Sequence, residues 1–232
     1  MKEQHSLPPG QRALEHFPRF GLNQFANRFP TDIDRINLRV GGCVDEETTL
    51  SDDLHTLQRI EQVSDFHCVT TWSKTGLCWS GYRFSDVHRQ LIAPAAQSAV
   101  ATKFISFPSQ DGYRIVMPLE YLLASDVLFA DRLNGEPLGI EHGAPVRLVA
   151  PAHYGYKNPK HLMGLECLTT DRLFKPVSFR FMAHPTARVA LEERAIGAPG
   201  WVSRYLYRPL IAPTIRSFAK ASEQYRRKAI VQ

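Results

Sequence analysis

No apolar run in the 232 residues approaches the roughly eighteen that a membrane-crossing helix requires. Cysteine is sparse: Cys43, Cys68, Cys78 and Cys167 are the only four, and none forms a Cys-x-x-Cys pair. That excludes a zinc knuckle, a thioredoxin-type site and a ferredoxin-type cluster loop, and no Cys-x-x-Cys-His occurs for covalent haem. No Gly-x-Ser-x-Gly elbow or His-Glu-x-x-His pair is present, which disfavours a hydrolase. Residues 1–9 carry neither an apolar core nor a twin arginine, from which a cytoplasmic location with free thiols is expected. Excess charge is also nearly missing from the main body. Of the net +5, the stretch from Trp201 onward holds seven basic residues against Glu223 alone, so that tail carries +6 and the remainder about −1. A near-neutral body does not suit a nucleic-acid fold.

The hydrophobic share of 44% is that of a globular chain, and the length suits one large domain with a tail. Apolar alternation predicts strands over 36–40, 66–71, 103–107, 113–119, 127–130, 146–150, 165–168 and 177–182. Ser51 as an N-cap, with Leu54, Leu57 and Ile60 at helical spacing, predicts a helix there. A second helix carries Val87, Leu91 and Ile92, and a short one covers 119–123. Strands outnumber helices and connections are short, which gives an α+β, mainly-β mixed fold rather than a doubly wound sheet. Residues 1–14 are expected to be a flexible arm, 15–185 the main domain, and 186–232 a basic extension. Its helix, over 209–228, has Ile211, Ile215, Phe218, Ser222 and Tyr225 on one face. Packing of that face on the domain is the favoured reading, and contact with a partner or a membrane surface stays open.

The chain is organised around residues 65–73, Asp-Phe-His-Cys-Val-Thr-Thr-Trp-Ser. A thiol at a strand end beside hydroxyls can be held rigidly and still face a cleft, and a thiolate is a soft ligand for a transition metal. On these nine residues alone a small buried core cysteine is the better reading of Cys68. Some eighty residues on come Asn-Gly-Glu-Pro-Leu (134–138), His-Gly-Ala-Pro-Val-Arg (142–147) and Tyr-Gly-Tyr-Lys-Asn-Pro-Lys (154–160). Arg147, Lys157 and Lys160 thus fall close together around a turn, where lysines supply point charge and arginine a planar fork for phosphate. Gly155 is expected to let backbone amides approach an anion.

Taken together, in this order and spacing, these blocks resemble the molybdopterin-dependent oxidoreductase domain of the sulfite oxidase family. The resemblance runs from about Phe17 to Met182. It implies the fold of that family, a Mo-molybdopterin cofactor, and Cys68 as metal ligand and catalytic residue. It implies cofactor contacts at Arg19, Phe20, Ser109, His142, Arg147, Gly155, Tyr156, Lys157 and Lys160. Arg19, among the aromatics of 17–25, reads equally well as a surface salt-bridge partner. Relatives oxidise sulfite or reduce sulfoxides, so the implied reaction is two-electron oxygen-atom transfer on a small substrate, with electrons exchanged with a separate partner protein or carrier. Where sulfite oxidases carry a tyrosine ahead of Asn-Gly-Glu-Pro, this chain offers Asp131 as the catalytic candidate. A non-catalytic molybdopterin-binding or carrier protein that keeps the fold is the alternative.

Overall fold

The computed structural model describes residues 6–94, 101–172, 174–177 and 180–231. In chain order the strands are β1 (Arg12–Ala13), β2 (Leu38–Gly42), β3 (Thr48–Leu50), β4 (Ile60–His67), β5 (Trp72–Arg83), β6 (Phe104–Pro108), β7 (Arg114–Pro118), β8 (Leu128–Leu133), β9 (Glu136–Pro137), β10 (Arg147–Val149) and β11 (Gly164–Leu168). The helices are α1 (Phe84–Val87), which runs on as a wider turn to Ile92, α2 (Leu119–Leu122), α3 (Gly200–Tyr207) and α4 (Ile211–Val231). One sheet runs β3-β2-β11-β6-β7. The other runs β1-β5-β8-β10, with β4 also on β5 and β9 on β8. This is the α+β architecture expected from the alternation.

The main core lies between the sheets. Leu38 and Val40, Ile105 and Phe107, Ile115 and Met117, and Leu165 and Cys167 alternate inward along the first sheet. They meet Tyr82, Phe129 and Leu148 of the second, with Phe84 of α1 edge-on to Phe107 and Phe129. Burying such a side chain contributes about 1.5–3 kcal/mol. Because side chains alternate across a strand, Leu128 and Ala130 on either side of Phe129 point the opposite way. There they join Leu77, Trp79 and Val149 in a second cluster, against which Phe17 and Phe66 pack. The second sheet is therefore apolar on both faces, and its outer face carries the site.

Several local expectations change. The helix predicted from Ser51 is a single 3-10 turn, Asp52–Thr56, whose Ser51 side chain caps nothing, and Ile60 instead opens β4. The strand expected over 66–71 stops at His67. Residues 68–71 form the hairpin tip, closed by the Cys68 amide on the Trp72 carbonyl and the Thr71 amide on the Cys68 carbonyl. Of the strand expected over 177–182, residues 178 and 179 lie outside the described residues, and Arg180–Met182 is a 3-10 turn. The arm expected over 1–14 is pinned where it is described. Arg12 and Ala13 pair in parallel with Trp72 and Ser73, and Gln11 is buried. The extension beyond 185 is likewise built in. Ala187 and Val189 pack on Tyr154, while Phe218 and Ala221 of α4 pack with Ala26 and Phe29. Tyr225 stacks on Phe29 at 4.1 Å.

Candidate active site

A cavity of about 630 Å3 opens on the outer face of the second sheet. Several parts of the chain build it, among them the segment 17–25, the hairpin tip with Phe66, Cys68, Val69 and Thr70, the turn with Asp111 and Tyr113, the loops at 141–147 and 155–161, and Leu210, Thr214 and Phe218 around the start of α4. Cys68 is 7% exposed, yet it lines this cavity, and its sulfur lies 3.1 Å from Thr70 Oγ1. Burial pushes its thiol up to about 11, with Thr70 pulling the other way. Free, it would stay protonated at pH 7, whereas coordination to a metal removes that proton outright.

Three cations line the same cavity. Arg147 is buried over Trp79 and Phe66, 5.0 and 5.6 Å from their ring centres. Its guanidinium donates only to carbonyls, those of His142, Asn158 and Leu148. Burial lowers its pKa to about 9. Lys160 donates to the Glu141 carbonyl at 3.3 Å, and burial, reinforced by Arg147 and Arg19, brings its pKa down to about 7. Arg19 donates to the carbonyls of Ala26 and Arg28 and sits between the rings of Phe29 and Phe218. None of the three has a carboxylate within ion-pair distance among the described residues. Buried positive charge without a counter-ion is costly, and an anion placed there would offset that cost. The salt-bridge reading of Arg19 is thereby corrected.

The remaining wall is aromatic. Phe17 stacks on His142 with ring centres 4.7 Å apart and 3° between planes, and Phe20 meets the edge of Trp72 at 5.4 Å. The buried Trp72 Nε1 has no hydrogen-bond partner among the described residues. Burial lowers His142 to about 4 and His161 to about 3, so both are neutral at pH 7 and can hydrogen-bond a heterocycle without adding charge. Gly155 is needed for a reason other than anion approach: a Cβ there would lie 2.2 Å from Phe66 Cζ. Asn158 ties the loop down by accepting from the Ala150 amide at 2.6 Å.

The structure thus brings together Cys68, Arg19, Phe20, His142, Arg147, Gly155, Tyr156 and Lys160. Three predicted residues lie elsewhere. Lys157 turns into the body and donates to the Val116 carbonyl at 2.9 Å. Within the 3-10 turn Gly155–Lys157 successive side chains diverge by a third of a turn, so Tyr156 faces the cavity and Lys157 does not. Ser109 is buried beside Leu162 in a β-bridge, and Asp111 and Tyr113 of the same turn line the cavity in its place. Asp131 lies outside the cavity, in a two-pronged pair with Arg59 at 2.6 Å. That pairing places Asp131 away from the cavity where the sequence reading put it as a catalytic group. Sequence reasoning missed Phe17, Phe66, Trp72 and Phe218 as lining residues. The first three flank the motifs, but nothing local marks Phe218.

The donor set suits a molybdopterin: a thiolate position, unpaired buried cations for a phosphate, and neutral polar groups between aromatic walls for the ring. Comparison with known proteins agrees. The family model for the oxidoreductase molybdopterin binding domain matches residues 26–174. The chain is 34% identical over 161 residues to the uncharacterized oxidoreductase YuiH of Bacillus subtilis, covering 69% of this chain and 78% of that one. It is 30% identical to the putative protein-methionine-sulfoxide reductase subunit YedZ1 of Azospira oryzae, over 58% of this chain and 49% of that protein. It is 29% identical to the protein-methionine-sulfoxide reductase catalytic subunit MsrP of Xanthomonas axonopodis pv. citri, over 54% and 42%. The chain therefore spans about half or less of those two reductase relatives. The sulfane dehydrogenase SoxCD from Paracoccus pantotrophus superposes with a TM-score of 0.51 at 20% identity, over 66% of this chain and 43% of that chain, a likeness of fold. Fold, site and family model agree that the chain belongs to the molybdopterin-binding oxidoreductase domains of the sulfite oxidase family.

Proposed function

We propose that this protein catalyses two-electron oxygen-atom transfer on a small sulfur-centred substrate, of the sulfite or sulfoxide type. One observation carries the proposal: Cys68 and the unpaired cations Arg147, Lys160 and Arg19 line a single cavity. A bound molybdenum–molybdopterin would supply the redox chemistry and the oxygen acceptor or donor. Cys68 is the residue to hold the metal, and Arg147 and Lys160 are those to hold the phosphate. Phe17, Trp72 and the neutral His142 and His161 orient the ring and exclude water from it. The similarity to proteins named as methionine-sulfoxide reductase subunits supports sulfur as the reacting element. The designation of those relatives as subunits supports electron exchange with a separate partner.

The test uses protein made in a host that synthesises molybdopterin. Wild type should carry molybdenum near one equivalent, Cys68→Ser should lose it, and a dye-linked assay should show turnover with sulfite or with dimethyl and methionine sulfoxides. Cofactor bound without turnover on either class would sink the enzymatic reading in favour of a carrier. Molybdenum retained in Cys68→Ser would sink the ligand assignment.

A further inference from the structure

The hairpin tip that carries Cys68 is held by two residues from outside the matched family region. Arg194, in the C-terminal extension, has no exposed surface. It donates through Nη1 to the Val69 carbonyl at 2.6 Å and through Nη2 to the Pro9 carbonyl at 3.1 Å. Its guanidinium lies over the Tyr154 ring at 4.7 Å, and its Nε is 3.5 Å from Glu192, a carboxylate shared with Arg204. From the N-terminal side, Gln11 donates to the Cys68 carbonyl at 3.1 Å and accepts from Ser73 Oγ at 3.1 Å, and that hydroxyl is 2.7 Å from His67 Nδ1. The Arg12 amide takes the Thr71 carbonyl at 3.0 Å. Thr71 needs such support: its φ of 81° is a left-handed conformation that a β-branched residue adopts only under strain.

We propose that Arg194 is the positioning residue of the metal-binding loop, its fork locking the Val69 carbonyl to the N-terminal segment while its buried charge biases the Cys68 sulfur. Two features separate it from an ordinary buried arginine. It touches the residue next to Cys68 rather than an ion-pair network alone, and it ties the C-terminal extension to both the tip and the N-terminal segment that already pairs with it. Bonded to the carbonyl of the residue after Cys68, its guanidinium places a buried positive charge beside the metal-binding loop. Groups of this kind, one step removed from a metal ligand, fix its geometry and tune the metal. A lysine at 194 would keep the charge but could not hold both carbonyls, because its ammonium is a single point.

The inference rests on Cys68 as the metal-binding thiolate, which the loss of molybdenum in Cys68→Ser tests separately. Two variants test Arg194 itself, Arg194→Met and Arg194→Lys, and Gln11→Ala tests the hold from the N-terminal side. In cofactor-free protein, backbone amide exchange at 68–72 should quicken at least ten-fold in all three, with β6 and β7 unchanged. This readout needs neither metal nor substrate. In loaded protein, redox titration should show the midpoint of the bound molybdenum shifted to more negative potential in Arg194→Met. It should stay near the wild-type value in Arg194→Lys and Gln11→Ala. Unchanged exchange in Arg194→Lys overturns the locking role, and equal midpoint shifts in Arg194→Lys and Arg194→Met overturn the role of charge. If Arg194→Met does not fold, the other two decide: a midpoint shift in both of them overturns the proposal, and faster exchange with unmoved midpoints supports it.

Discussion

Replacing Lys160 by methionine should make the cofactor-free protein more stable at neutral pH. Methionine keeps the apolar stem and removes the ammonium. Lys160 lies with Arg147 and Arg19, and Asp111 and Glu141 offset them only in part, so burial first and those cations second bring its pKa from 10.5 to about 7. A base whose folded pKa is below its unfolded value binds fewer protons in the fold. Stability therefore rises with pH between the folded value near 7 and the unfolded value, and is lost as pH falls toward 7. At about 1.4 kcal/mol per pH unit the full cost reaches ~5 kcal/mol, and ~2 kcal/mol if water in the cavity screens half or more of it. Lys157 and Arg147, lowered to about 8 and about 9, add the same trend at higher pH, so the interval from 7 to 8 belongs mainly to Lys160. The assay is urea unfolding of cofactor-free protein by tryptophan fluorescence from pH 6.5 to 9.5. Lys160→Met should exceed wild type at pH 6.5 by roughly 2–5 kcal/mol, with the gap closing as pH rises. Millimolar pyrophosphate should stabilise wild type at pH 6.5 and leave the variant nearly unmoved. Equal pH slopes between 6.5 and 8, or a variant less stable than wild type at pH 6.5, would refute an unneutralised buried charge at this position.

Gly155→Ala places a methyl 2.2 Å from the Phe66 ring and should cost about 1–3 kcal/mol by overpacking, seen as a lower urea midpoint together with reduced molybdenum content. Asp131→Asn breaks only the partly exposed pair with Arg59, so stability should fall by less than ~1 kcal/mol, and molybdenum content and turnover should stay within two-fold of wild type. A large loss of turnover in that variant would return Asp131 to the chemistry. Phe218→Ala removes the ring that links α4 to Arg19 and should destabilise by about 3 kcal/mol, with amide exchange rising over 214–225 before the two-sheet core opens.

The order of the motifs and the alternation of apolar residues were enough to determine two things about this protein. It pairs a thiol near a strand end with a basic loop about eighty residues later, and it builds mixed sheets, because period-two patterning and turn chemistry are local properties of the chain. Tertiary structure alone decided which groups around those motifs converge. Lys157 and Lys160 look alike in sequence, but the 3-10 turn that ends at Lys157 sends that side chain into the body, while Lys160 beyond it lines the cavity. Asp131 sits beside a family motif, yet Arg59, seventy-two positions away, claims it. Gln11 and Arg194 lie in stretches that read as an arm and a basic extension, and both end on the Cys68 loop. Side-chain direction in a loop is set by partners distant along the chain, and no local period encodes where those partners fold.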